Sequence, residues 1–173
     1  DSSGTDYSEF DTVAVYEVTP GCVAADALMA DGWIKGQTAN NNMLRQHTDG
    51  ATEAVTKLGS FYSLKATGSA NTADVYFPGP NGMDQKAEWY SRFAGRTFTF
   101  GAWVKSAEAT IIKLFWYDNS GAYTYTSANA GTGWEWIEIT GTVADAATQF
   151  FVGFNIVDTK TVYISQPMLV FGS

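Results

Sequence analysis

Aromatic residues that alternate along the second half of the chain are the side chains best suited to bind a ligand. Successive side chains of a β-strand point to opposite faces, so a charged residue marks every second neighbour as solvent-facing. With Lys105, Lys113 and Glu138 as markers, the outward set comprises Trp103, Phe115, Tyr117, Trp134, Trp136 and Phe151, interleaved with Thr, Gly and Asn155. Flat rings beside amide and hydroxyl groups suit a sugar, whose C–H face stacks on a ring while its hydroxyls form hydrogen bonds.

From this set we select five candidate carbohydrate contacts, Trp103, Phe115, Tyr117, Trp136 and Asn155. Two alternative roles for the same rings stay open. Interfaces are enriched in Trp, Tyr and Phe, so the face could meet another subunit or be covered by an N-terminal arm. Alternatively, some rings cap the core, as Trp134 would after its glycine turn. The opposite parity class is the predicted core: Phe98, Phe100, Ala102, Val104, Ile112, Leu114, Trp116, Ile137, Ile139, Phe150, Val152, Phe154 and Ile156.

Residue patterns for catalysis are missing. Glycoside hydrolysis needs two carboxylates across one cleft, whereas Glu135 and Glu138 are three apart in a strand and point to opposite faces. A nucleophile relay would have to use His47, the single histidine, which lies in the polar segment LRQHTDG and is expected to be a solvated loop residue. Cys22 is the single cysteine and is interpreted as a small hydrophobic residue. We therefore predict that the chain is not an enzyme.

No cofactor is predicted. The sequence has neither the Cys/His spacing of a zinc site nor an EF-hand loop. A structural calcium ion held by turn carboxylates stays open as a weak alternative, since aspartates lie near predicted turns at Asp26, Asp31, Asp49, Asp118 and Asp145. Turn aspartates usually serve the turn itself.

The composition of the chain excludes some classes of binding partner. The 173 residues carry a formal net charge of −8, which disfavours nucleic acid, because that binding needs a basic surface. No apolar run reaches the length of a membrane-spanning helix, so we predict no membrane insertion. Residue 1 is Asp, so we expect a processed product or a piece of a longer polypeptide.

The elements that must position these residues are short strands separated by Gly, Asn and Asp turns. Five strong strands are predicted within 95–106, 110–121, 133–143, 149–157 and 161–172, and two more within 58–68 and 72–79. Residues 33–50 are predicted to be a loop, and residues 80–95 a connection that crosses between sheets. The pattern predicts an all-β fold, a two-sheet antiparallel β-sandwich of the jelly-roll type over residues 31–173. Residues 1–30 are predicted to be an N-terminal arm with a short strand and a short helix at 22–30.

The order of five segments resembles a known family. GRTFTFGAWVKSA, KLFWYDNSG, GWEWIEITGTV, QFFVGFNIV and TVYISQPMLVFGS resemble carbohydrate-binding-module-like jelly rolls of the family 4/9 type, over residues 58–173. The resemblance implies glycan binding through aromatics on a sheet face or at loop tips, in many members beside a structural calcium. Ser165-Gln166-Pro167 replaces the acidic residue usual in the last strand, which weakens the expectation of calcium.

The closing segment VYISQPMLVFGS also resembles the last strand of such domains in bacteriophage virion proteins, including tail fibres, tailspikes and head decorations. This implies a trimeric adhesion component on the virion surface, with a glycan or polysaccharide and other virion proteins as partners. One alternative is a purely structural virion protein whose aromatic face is an oligomer interface. The other is a binding module of a secreted, extracellular polysaccharide-degrading enzyme.

Overall fold

A computed structural model describes residues 33–35, 42–47, 57–60, 62–68, 73–78, 83–157 and 159–172. The predicted arm at 1–30, with its strand and helix, lies outside these residues, and so do Cys22, Asp26, Asp31 and Asp49.

Two antiparallel sheets form the described part of the chain. The front sheet contains β1 (Ile34–Lys35), β4 (Ala73–Phe77), β9 (Phe151–Ile156), β6 (Ile112–Tyr117) and β7 (Thr124–Tyr125), in that spatial order. The back sheet contains β2 (Asn42–His47), β3 (Tyr62–Thr67), β10 (Thr161–Phe171), β5 (Thr97–Ser106) and β8 (Glu135–Thr142). A 3₁₀ helix at Met83–Gln85 and a short α1 at Ala87–Tyr90 lie between β4 and β5. The predicted all-β, two-sheet antiparallel sandwich is confirmed.

The strong strands occur where the sequence pattern predicts them, as β5, β6, β8, β9 and β10. Residues 80–95 connect β4 of the front sheet to β5 of the back sheet, which is the crossing that their length indicated. The earlier pair, β3 and β4, is also present, but the two strands belong to different sheets.

The loop predicted for residues 33–50 is wrong at both of its described parts. Residues 34–35 form β1, and residues 42–47 form β2, which pairs antiparallel with β3 from Asn42↔Thr67 to His47↔Tyr62. His47 is therefore the last residue of a strand rather than a loop residue. A neighbouring strand supplies backbone hydrogen bonds whatever the side chains are, so the polar composition of NMLRQH did not prevent pairing.

The core between the sheets follows the predicted parity. On β5, Phe98 and Phe100 are each 1 % exposed, and front-sheet residues such as Leu114 and Phe154 pack against them from the other side. Ile111 has the same parity as Lys113, which marks the outer face, but it is buried in this core. It precedes the first residue of β6, so the alternation of that strand does not apply to it.

Candidate functional site

The five predicted carbohydrate contacts divide between two surfaces. Trp103 and Trp136 are cross-strand partners on the outer face of the back sheet. Phe115, Tyr117 and Asn155 lie on the outer face of the front sheet, on β6 and β9. Because the sheets pack through their inner faces, these outer faces lie on opposite sides of the sandwich. Parity distinguishes inner from outer within a strand but does not assign the strand to a sheet, so the sequence pattern merged two faces into one.

Two phenylalanines that point outward from the front sheet are nevertheless buried. Phe115 is 1 % exposed and Phe151 is 4 % exposed, although neither belongs to the core between the sheets. Gly153 lies beside both on β9, and a Cβ there would be 2.7 Å from the Phe115 ring. Phe115 and Phe151 thus form the floor of a second aromatic layer, and Phe115 is not the exposed contact that we predicted.

Four tyrosines cover this floor; we call Tyr76, Tyr117, Tyr123 and Tyr125 the tyrosine layer. The Tyr117 and Tyr123 rings stack with centroids 4.5 Å apart. The Tyr123 ring is also nearly parallel to the Tyr125 ring, and their centroids are 6.3 Å apart. Tyr76 packs on Phe151 at 5.0 Å. Tyr123 and Tyr125 are each 45 % exposed. The layer therefore combines a rigid support with rings that solvent or a ligand can reach.

Three members of the tyrosine layer were not selected from the sequence. Tyr76 shares the parity of Asp74, so the rule that charged residues mark the outer face would have found it. Tyr123 and Tyr125 alternate in SGAYTYTS, but β7 is only two residues long and gives a weak strand signal. The pairing of Phe115 on β6 with Tyr125 on β7 places β7 beside the phenylalanine floor.

Three phenol groups of the layer, those of Tyr76, Tyr123 and Tyr125, have a raised pKa, which favours their protonated form. Burial is the main cause that raises the pKa of Tyr76, and nearby Asp84, Tyr123 and Asp74 raise it further. The pKa values of Tyr123 and Tyr125 are raised by burial and then by neighbouring tyrosines and carboxylates. These hydroxyls can therefore donate as well as accept hydrogen bonds.

A row of polar residues crosses three strands beside the tyrosine layer. Asp74 on β4 pairs with Asn155 on β9, which pairs with Lys113 on β6. The Asn155 side-chain amide donates to the Asp74 carboxylate at 2.6 Å, and Asn155 is only 8 % exposed. Burial raises the pKa of Asp74, although the hydrogen bond from Asn155 partly offsets the rise. We call Asp74, Asn155 and Lys113 the polar row.

Loop contacts fix one edge of the tyrosine layer. The Tyr117 hydroxyl donates to Asn119 at 2.7 Å, and the Asn119 amide donates in turn to Thr148 at 3.0 Å. Asn119 adopts a φ of 64°, a left-handed conformation that Asn tolerates better than most residues. The DNSG turn therefore holds Tyr117 in place against Tyr123.

The outer face of the back sheet carries a smaller aromatic pair. Trp103 and Trp136 meet edge to face, with centroids 5.9 Å apart. The Lys57 ammonium lies 4.8 Å from the Trp103 ring centre, and the Trp136 indole donates to Glu138 at 2.8 Å. Gly101 makes room for Trp136, since a Cβ there would be 2.4 Å from the indole. Both Trp residues are half-buried.

The carboxylates that we considered for glycoside hydrolysis or calcium binding accept hydrogen bonds from other groups of the protein. Glu135 accepts hydrogen bonds from the backbone amides of Ala130 and Gly131, at 2.7 and 3.1 Å, whereas Glu138 accepts from Trp136. Asp118, a candidate for calcium, accepts instead from Ser120 and from the Ala144 amide. Within the described ranges, no three His, Cys, Asp or Glu side chains are grouped as a metal site would require. None of the described helices has the length and apolarity to cross a membrane.

Comparison with known proteins identifies the fold. The sequence matches no protein-family profile and no curated protein. A solved structure of the enzymatically active domain of bacteriophage CBA120 tailspike protein 4 matches with a TM-score of 0.57 at 13 % identity, over 85 % of this chain and 20 % of that chain. The C-terminal family 22 carbohydrate-binding module of Clostridium thermocellum Xyn10B matches with a TM-score of 0.52 at 16 % identity, over 80 % of this chain and 85 % of that chain.

A xylan-binding domain of the same family 22 matches with a TM-score of 0.52 at 16 % identity, over 87 % of this chain and 94 % of that chain. The present chain thus spans one fifth of the tailspike chain but nearly the whole of the isolated modules. Its fold is carbohydrate-binding-module-like. These two modules belong to family 22, so the finer assignment to the family 4/9 type stays a prediction.

Proposed function

We propose that this chain is a non-catalytic glycan-binding domain whose ligand lies on the outer face of the front sheet. One observation carries the proposal: a half-exposed tyrosine layer rests on a buried phenylalanine floor, beside a row of polar side chains. Tyr117 and Asn155 remain from the predicted contacts, and Tyr76, Tyr123 and Tyr125 join them.

The face has the two properties that sugar recognition requires. Tyrosine rings offer apolar surface to the C–H face of a pyranose, and their hydroxyl groups can form hydrogen bonds with the hydroxyl groups of the sugar. Phe115 and Phe151 pack beneath the rings with centroid distances of 5.4 to 5.9 Å to Tyr117, Tyr123 and Tyr125. This support reduces the conformational entropy that the rings would lose on binding.

The biological setting belongs to the proposal as well. Likeness to a tailspike domain, together with the resemblance of VYISQPMLVFGS, supports a homo-oligomeric adhesion component on a bacteriophage virion surface. Likeness to xylan-binding modules supports the alternative, a binding module of a secreted polysaccharide-degrading enzyme. In both settings the domain holds a glycan and leaves any chemistry to another domain.

Affinity electrophoresis in gels that contain soluble polysaccharides tests the ligand face. Tyr123→Ala and Tyr117→Ala should each weaken retention about tenfold, because loss of a stacking ring removes on the order of 1.4 kcal/mol of binding free energy. Tyr163→Ala is the matched control, since Tyr163 is a half-buried tyrosine on the outer face of the back sheet. It should leave retention unchanged.

Two results would count against this assignment. If Trp136→Ala abolished retention while both front-face variants bound normally, the ligand would lie on the back sheet. If no variant altered retention but Tyr123→Ala changed the mass measured by light scattering, the tyrosine layer would be an oligomer interface.

A further inference from the structure

We infer, on the basis of the proposed function, that the front face selects glycans without carboxylate groups, and that Asp74 and Asp84 set this selectivity. The two aspartates lie on different elements, β4 and the 3₁₀ helix. Both belong to the surroundings of the tyrosine layer, which is where the sugar would lie.

Asp74 reaches the layer from the polar row. It is two residues from Tyr76 on the same strand, so the two side chains share the outer face of the front sheet. Asp84 lies on the 3₁₀ helix and accepts a hydrogen bond from the side-chain amide of Gln149, which is two residues before Phe151 of the floor. Asp84 is 3 % exposed, so its charge is poorly screened by solvent.

Both charges act on the tyrosine hydroxyls. Burial is the main cause of the raised pKa of Tyr76 and of Tyr123, and Asp74 and Asp84 each raise these two pKa values further, so both carboxylates act at the positions of these two hydroxyls. Lys113 is the positively charged member of the polar row and lies across Asn155 from Asp74. A uronic acid bound over these rings would add a third carboxylate, whereas a neutral sugar would meet no such repulsion.

The polar row also presents hydrogen-bond acceptors. Because the Asn155 amide nitrogen donates to Asp74, its carbonyl oxygen is directed elsewhere. Asn155 is only 8 % exposed, and its hydrogen bond to Asp74 fixes the direction in which this oxygen points. An oriented acceptor of this kind suits a sugar hydroxyl, which can donate, and disfavours a carboxylate, which cannot.

Matched polymer pairs test the inference by affinity electrophoresis. The pairs are hydroxyethyl and carboxymethyl cellulose, arabinoxylan and glucuronoxylan, and highly methyl-esterified and unesterified polygalacturonate. The unmodified protein should bind the neutral member of its preferred pair about fivefold or more tightly than the acidic member, and rising ionic strength should narrow that gap. This salt measurement needs no variant, so it stands even if a substitution impairs folding.

Variants then identify the residues responsible. Asp74→Asn and Asp84→Asn should each strengthen retention by the acidic polymer severalfold. Asp84 is not one of the proposed sugar contacts, so Asp84→Asn should in addition change retention by the neutral polymer little. Glu138→Gln is the matched control, because it removes the same charge from the opposite outer face and keeps an acceptor for the Trp136 indole. Glu138→Gln should leave retention by the acidic polymer and retention by the neutral polymer unchanged.

The outcomes separate the two proposals. Equal retention by neutral and acidic polymers at low ionic strength would overturn the selectivity alone, as would unchanged acidic binding in both aspartate variants. Retention by none of the six polymers would overturn the proposed glycan-binding function and this inference with it.

Discussion

Gly153 determines how closely the floor of the front face packs. A Cβ at this position would lie 2.4 Å from the Val75 carbonyl oxygen and 2.7 Å from the Phe115 ring. The backbone oxygen cannot move without disturbing the pairing of β4 with β9. The absence of a side chain therefore lets the Phe115 ring pack closely against β9 beneath the tyrosine layer.

Gly153→Ala should lower the free energy of unfolding by about 1–3 kcal/mol, since overpacking a tight site displaces its neighbours. Urea denaturation followed by tryptophan fluorescence would measure the change. Gly133→Ala is the matched control, because a Cβ there would meet nothing within 4 Å. A Gly153→Ala variant as stable as the control would show that the floor can relax.

At the scale of elements, Asn129 fixes the start of β6, the strand that carries Phe115 and Tyr117. Its side-chain oxygen accepts from the backbone amides of Ile111 and Ile112 at 2.7 and 3.0 Å. Its nitrogen donates to the Glu108 and Gly131 carbonyls at 2.9 and 2.8 Å. Asn129 is fully buried, so one side chain joins the start of β6 to the turn before it, at Glu108, and to the segment before β8, at Gly131.

Asn129→Ala should destabilise the fold by about 3 kcal/mol or more, because it leaves several buried backbone groups without partners. Asn119→Gly is its control, since glycine keeps the left-handed backbone of this residue without strain. Asn119 also makes two side-chain hydrogen bonds, but it is exposed, so water can replace them and the loss should stay below about 1 kcal/mol. Thermal unfolding monitored by circular dichroism would distinguish the pair, and similar losses would contradict the role given to Asn129.

For the whole molecule, Asp118 links stability to pH. Burial opposes its ionisation, but hydrogen bonds from the Ser120 hydroxyl and amide and from the Ala144 amide outweigh that effect, and its pKa is lowered. The folded protein therefore binds this proton more weakly than the unfolded chain does. The stabilisation is complete above the ordinary value of 3.8 and is lost as pH falls through the lower, folded-state pKa.

Asp118→Asn should accordingly be less stable than the unmodified protein at neutral pH, and the difference should shrink below about pH 4. Urea denaturation midpoints measured from neutral to acidic pH would show the convergence. Glu88→Gln removes an exposed carboxylate of α1 and serves as the control. A constant difference between unmodified and Asp118→Asn protein across this range would refute the assignment.

The alternation of side chains was sufficient to predict which residues of each strong strand enter the core. Phe98, Phe100, Leu114 and Phe154 are buried as expected, since a period of two is a property of the extended backbone itself. The same alternation failed at Ile111, which lies just outside β6, and at Asn42–His47, whose polar residues gave no strand signal. In both cases a contact distant in sequence decided the structure.

The sequence by itself determined the all-β class, the strong strands and the outward parity of Tyr117 and Asn155, because these depend on local periodicity. Only the tertiary structure decided that Trp103 and Trp136 lie on the opposite face from Phe115, since assignment to a sheet depends on long-range pairing. The tertiary structure also decided that Phe115 is buried in the floor beneath the tyrosine layer instead of being exposed on the surface. That outcome required Tyr123 and Tyr125 to fold back over β6, and burial is a property of neighbours that a single strand does not encode.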